Sequence, residues 1–181
     1  MSSHEHPGIK TWDGKPSRTS DSAEEPFENP RILKAGLPGE LNEDLSMTRV
    51  VFFQVSDSAA KLKKIVETVN DHFRKNEPFL FFVEDEKALN FVDELLWKYP
   101  ETSFLPHAAT EEPTQERIAI TKTKSNVNKA LYAFNLCPTP LLIHGFKIIY
   151  DFEDLTAPNK KSFSSLRFNA YKQAKMPIVQ R

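Results

Sequence analysis

The sequence predicts an α/β protein: an open sheet, mostly parallel or mixed, with helices on both faces. Three observations carry that expectation. VVFFQV (50–55) and PFLFFV (78–83) are short, nearly continuous apolar runs, as in strands buried on both sides. Each is followed by a segment with apolar residues at helical spacing. Further short strand-like runs then lead to one more helix, and strands alternating with helices favour a covered, largely parallel sheet.

Each element has a local reason. After the first strand, Leu62, Ile65, Val66, Val69 and Phe73 mark one helical face, and Ser56, Asp57 or Ser58 can cap its first turn. After the second strand, Ala88, Leu89, Val92, Leu95, Leu96 and Tyr99 mark another, closed by Pro100. SFLP (103–106), RIAIT (117–121), ALYAFN (130–135) and FKIIYDF (146–152) read as four short strands. The last helix is expected from about Pro158 to Lys175, with an apolar face of Phe163, Leu166, Phe168 or Ala170, and Tyr171. Pro158 suits a first helical turn, and Pro177 lies just past the end.

Residues 1–45 differ from the rest. They hold five of the thirteen prolines and four of the five glycines and show no period. They are expected to form an extended or disordered arm, with a short helical turn near Asn42, ahead of one α/β domain over 46–181. No apolar run is long enough to span a membrane, and the N-terminus lacks a secretory core, so a cytoplasmic protein is expected. A single cysteine, Cys137, permits no internal disulfide.

The overall charge of −1 conceals an asymmetry: −3 over 1–49, −4 over 50–155 and +6 over 156–181. A basic terminal helix with no acid in it calls for an acidic partner, nucleic acid or peptide. A solvated basic face is the plain alternative.

Familiar chemistries find little support. A nucleotide site in such a fold needs glycines where backbone N–H groups approach phosphate. The turn after the first strand reads SDSAAK, and Gly145 alone follows residue 45. In the folded part no histidines stand at metal-ligand spacing (His4 and His6 are close together but lie in the arm), Cys137 in NLCPTP reads as a small core residue, and His107 has no paired nucleophile, which favours a structural role. Asp151, Glu153 and Asp154 could hold a divalent ion, but DFED is also an ordinary turn. No cofactor is implied. Glu84, Asp85 and Glu86 are explained as a helix cap and its dipole partners. Trp97, at the edge of its helical face, either completes the core or anchors a partner.

The segment EDEKALNFVDELLWKYPETSFLPH (84–107) carries a more specific signal. Asp85–Glu86–Lys87, Val92–Asp93–Glu94, Leu96–Trp97, Ser103–Phe104 and Pro106–His107 resemble, at the same spacing, the chi subunit of bacterial DNA polymerase III holoenzyme. The terminal RFNAYK (167–172) matches that family's basic helix, and the resemblance spans about residues 48–178. It implies a sheet that looks like a nucleotide-binding domain yet carries no nucleotide. It also implies a non-catalytic accessory of the clamp loader that takes the acidic C-terminal tail of single-stranded-DNA-binding protein, a tail ending in Pro-Phe. A second surface, matched by Trp97 and Phe104, would bind the psi subunit or another clamp-loader subunit, and in some bacteria a helicase-like protein; DNA is then met indirectly.

For the tail, the resemblance points to Lys161 and to Phe168, which matches the aromatic that helps hold the terminal phenylalanine; Arg167, Tyr171, Lys172 and Lys175 are expected as further members of the site. Two family cations are missing: Ser165 stands where the family has an arginine and Asn169 where it has a basic residue. Two alternatives remain: direct single-stranded nucleic-acid binding by the basic helix, with Phe168 or Tyr171 stacking on bases, and a divalent-metal nuclease using Asp151 to Asp154.

Overall fold

The computed structural model describes residues 45, 47–99 and 104–181. The expected arm and the turn near Asn42 lie outside the described residues, except for Leu45. The chain divides into Met1–Ala35 and Gly36–Arg181, and every element below belongs to the second unit.

The strands are β1 (Arg49–Val55), β2 (Phe79–Phe82), β3 (Ala108–Ala109), β4 (Ile118–Thr121), β5 (Tyr132–Asn135), β6 (Ile148–Asp154) and β7 (Ile178–Gln180). The helices are α1 (Ser58–Arg74), α2 (Glu86–Lys98) and α3 (Pro158–Gln173). The seven strands form one sheet in the order β3-β4-β2-β5-β6-β1-β7, and every pairing is parallel. The sheet is therefore wholly parallel and open.

Alternation along the strands sorts the core into two layers. Val51, Phe53, Val55, Phe79 and Phe81 face α1 and α2, meeting Ile65, Val69, Leu89, Val92, Leu95 and Leu96. Val50, Phe52, Leu80 and Phe82 face the other way, with Tyr171 of α3, with Ala174 at its C-cap and with Leu141 and Phe146. Phe134 is the aromatic centre of the first layer, stacked 5.0 Å from Phe152 and 6.1 Å from Phe81. The helix starts follow the sequence signals: Asp57 caps α1 by accepting from Ala60 N at 2.7 Å, and Asp85 caps α2 by accepting from Ala88 N at 2.8 Å. Gly145, at φ +92°, makes the turn into β6 that a side chain would strain.

Three expectations are corrected. Residues 104–106 are not a strand; Leu105 is buried there as a plug, and pairing starts only at Ala108. Residues after Pro177 form β7 against β1, which three residues were too short to signal. The inner side of α3 is not its apolar side: Ser164, Arg167 and Tyr171 are buried, whereas Phe163 and Leu166 are 43% and 63% exposed.

The reason is a buried polar network centred on Asp151 of β6. Its carboxylate accepts from Arg167 Nε at 3.0 and 3.1 Å, from Tyr171 Oη at 2.8 Å, from Asn135 Nδ2 at 3.0 Å and from Phe152 N at 2.6 Å. Arg167 Nη2 donates to Phe152 O at 3.0 Å, and Tyr171 Oη accepts from Leu141 N at 3.1 Å. Burial pushes the Asp151 carboxyl up from its ordinary value against the pull of Arg167. α3 is thus held to β5, β6 and the 139–141 loop by groups with no water to fall back on. A second buried group, His72 at the end of α1, lies 2.7 Å from Glu77 and 2.8 Å from the Tyr150 hydroxyl. Burial lowers its pKa below 6.5 although Glu77 pulls the other way.

Two outcomes are expected. Arg167→Met strands a buried carboxylate and should cost about 3–5 kcal/mol in urea unfolding at pH 7. For His72 the folded-state pKa lies below the unfolded value, so its contribution to stability is complete above about pH 6.5 and is lost as pH falls through the folded-state value. His72→Asn should show a flatter stability profile than the parent between pH 7.5 and 5.

Candidate functional site

Three surfaces stand out. The first is the exposed side of α3. Lys161, Ser165, Phe168 and Lys172 follow one another at helical spacing along one flank, and Lys175 lies two residues past the end of α3 with φ +56°. Lys161, Lys172 and Lys175 are exposed, and among the described residues no carboxylate pairs with any of them. Phe168 is half-buried, its ring edge-on to Phe52 at 5.6 Å between centroids. Ser165 turns inward on its own helix, donating to Lys161 O at 3.1 Å. Arg167 and Tyr171, grouped with these residues by resemblance, are not on this surface; both are interior members of the Asp151 network. Of the six expected tail residues, Lys161, Phe168 and Lys172 share one flank of α3, Lys175 lies just past its end, and Arg167 and Tyr171 hold the helix in place from inside.

The second is an aromatic pair. Trp97 near the end of α2 is 59% exposed and Phe104 is 51% exposed. Their ring centroids are 4.7 Å apart at 36°. The His107 ring lies 5.5 Å from Trp97, edge-on. His107 itself is fixed: Nε2 is 3.0 Å from Asp93 Oδ1 and Nδ1 is 2.7 Å from Leu105 O. A buried imidazole thus joins α2 to the segment carrying Phe104 and sets the two rings side by side. The pairing of Asp93 with His107, fourteen positions apart, was not read from the sequence.

The third is a crevice at the carboxyl ends of β5 and β6. β1 sends its chain through α1 toward β2, on one face of the sheet, and its neighbour β6 sends its chain through α3 to β7 on the other. In parallel sheets such a switch point opens a cleft above the strands. Here it measures about 180 Å³ and is lined by Lys61, Asn135, Leu136, Cys137, Pro138, Phe152, Asp154, Lys160, Phe163 and Arg167. No glycine lines it, and side chains stand where a phosphate would meet backbone.

Two of the three acids considered for metal binding, Asp151 and Asp154, are committed elsewhere. Asp151 serves Arg167, and Asp154 accepts from Lys61 Nζ at 2.7 Å and from Thr156 Oγ1 at 2.6 Å. Burial raises the Asp154 carboxyl, but the hydrogen bonds from Lys61 and Thr156 outweigh it and leave the pKa below its ordinary value. Asp151 and Asp154 also contact opposite faces of the sheet, so they do not converge. Burial pushes the Cys137 thiol up to about 11, the reverse of an activated nucleophile. No helix among the described residues is long and apolar enough to cross a membrane.

Among curated proteins, none matches this chain closely enough to count as a relative. A family model does: residues 47–179, from just before β1 into β7, match the DNA polymerase III chi subunit, HolC. With the parallel sheet, the exposed aromatic pair on α2 and the basic α3 all inside the matched span, the chain belongs to the DNA polymerase III chi subunit family, an accessory and non-catalytic component of that replicase.

Proposed function

We propose that this protein joins the replicase to single-stranded-DNA-binding protein by receiving that protein's acidic C-terminal tail on α3, and that it is itself held to the clamp loader through Trp97 and Phe104. No bond is made or broken. The supporting observation for the tail is the exposed flank of Lys161 and Lys172, with Lys175 just past the end of α3, none paired with a carboxylate among the described residues. From Lys161 to Lys172 is about 16 Å along the helix, which about five extended residues cover. A short acidic segment lying there gains exposed, screened charge contacts, so the affinity is of order micromolar. Several tails on one oligomeric partner raise the effective strength.

Support for the second contact is the aromatic pair, set by the Asp93–His107 clamp instead of being sealed in the core. Rigid aromatic rings at a surface are the usual anchors of an interface. Psi or another clamp-loader subunit is the partner this reading assigns to it, and a helicase-like protein is a competitor for the same rings.

Two measurements test this reading. Titration with the tail peptide of the organism's own single-stranded-DNA-binding protein should give micromolar binding that weakens with salt and vanishes when the final phenylalanine is removed. Single-stranded DNA alone should bind far more weakly; a tight, steeply salt-dependent DNA complex without peptide would instead identify α3 as a nucleic-acid surface. Separately, Trp97→Ala and Phe104→Ala should each cost about 2 kcal/mol or more in binding the clamp-loader partner and leave the thermal midpoint nearly unchanged. Equal loss of folding and binding would contradict the assignment.

A further inference from the structure

We propose that His107 positions the Trp97–Phe104 pair as an imidazolium, donating from both ring nitrogens, so that this surface is set while the ring keeps its second proton and loosens when that proton is lost. The contact regulated in this way is the clamp-loader contact proposed above, and the binding part of the test rests on that reading.

Both partners of the ring are acceptors. Nδ1 is 2.7 Å from the Leu105 carbonyl oxygen, and Nε2 is 3.0 Å from Asp93 Oδ1. A carbonyl and a carboxylate have no proton to give. A neutral imidazole carries one N–H and one bare nitrogen, so it satisfies one of these oxygens and turns a lone pair on the other; the imidazolium satisfies both. Water does not relieve the mismatch, because the His107 side chain is 1% exposed. His72 provides the contrast within the same fold. Its Nδ1 also faces a carboxylate, Glu77, but its Nε2 meets the Tyr150 hydroxyl, which can donate to a bare nitrogen. A neutral ring is fully bonded there, and burial lowers its pKa below 6.5.

The charges packed around His107 leave Asp93 as its counter-ion. On α2, Glu94 and Lys98 are exposed and pair with each other at 2.9 Å. Ahead of β4, Glu116 and Arg117 line a hollow with Pro106, and Arg117 donates to Asn76. β3 brings only alanines. Among the described residues Asp93 is the one carboxylate paired with the ring. Leu105 O is the nearer acceptor and lies on the ring's own segment, so a neutral ring keeps its proton on Nδ1 and gives up Asp93. What is then lost is the link between α2, which carries Trp97, and the segment that carries Phe104. The His107 ring centroid is 5.5 Å from that of Trp97, so a shift of the imidazole reaches the indole directly.

The experiment uses the full chain with nitrogen-15-labelled histidine. At pH 6 both ring nitrogens of His107 should carry a proton in NMR spectra. As pH is raised, the ring-current shifts between Trp97 and Phe104 should change in step with loss of the proton on Nε2. Over the same titration the Kd for purified psi subunit should rise by about tenfold or more. Asp93→Asn should remove the dependence, because an amide accepts from the protonated ring or donates to the neutral one; its Kd should stay within about twofold throughout. Asp93→Ala should bind weakly at every pH. A bare His107 nitrogen at pH 6, or equal weakening of the parent and Asp93→Asn as pH rises, would overturn the proposal. If psi binds at no pH, the contact reading fails, and the ring nitrogens and the Trp97–Phe104 shifts of the free chain still decide whether the clamp depends on the proton.

Discussion

Asp151 is the point on which the arrangement of this molecule turns. A carboxylate with no solvent exposure sits mid-strand in β6, and it is tolerated because Arg167, Tyr171, Asn135 and a backbone N–H all donate to it. A buried ion pair of this kind is weak evidence for extra stability, since desolvation of both charges offsets much of their attraction. What it provides is position. A hydrophobic interface can slide by a turn at small cost; Arg167 and Tyr171 meet Asp151 in only one register of α3.

That constraint shapes the outer surface. With Ser164, Arg167 and Tyr171 turned inward, the helical period forces Lys161 and Lys172 onto one flank and Phe163 and Leu166 onto the other. The same logic recurs on the opposite face of the sheet. There the pair of half-buried Asp93 with the buried His107 ring fixes the spacing of Trp97 and Phe104, which themselves remain in water. In both places polar groups inside the molecule determine where apolar and charged groups appear outside. The family membership makes the chain an accessory, non-catalytic component of the replicase.

Much of the domain was legible before any coordinates. Strands β1 and β2 were plain because buried parallel strands are apolar on both sides, and α1 and α2 because caps and apolar period agreed. Phe104 to Pro106 misled because a buried irregular segment uses the same residues as a strand; only its lack of pairing distinguishes them. The inner face of α3 misled for a deeper reason. Hydrophobicity marks the buried side of a helix only when that side is hydrophobic, and here it carries an arginine and a tyrosine whose acceptor lies sixteen and twenty positions back in the chain.

The residue order alone determined the alternation of strands and helices, the two aspartate caps, the missing phosphate-binding glycines and the motif that ties the chain to its family. Those features depend on neighbours within a few positions or on residue types in fixed order. Tertiary structure decided which lysines of α3 have no carboxylate partner among the described residues, that Arg167 and Tyr171 are internal, that Trp97 and Phe104 meet, and that a crevice opens beside Lys160. Each of those depends on groups brought together from distant parts of the chain, and burial and pairing across that separation leave no periodic trace in the sequence.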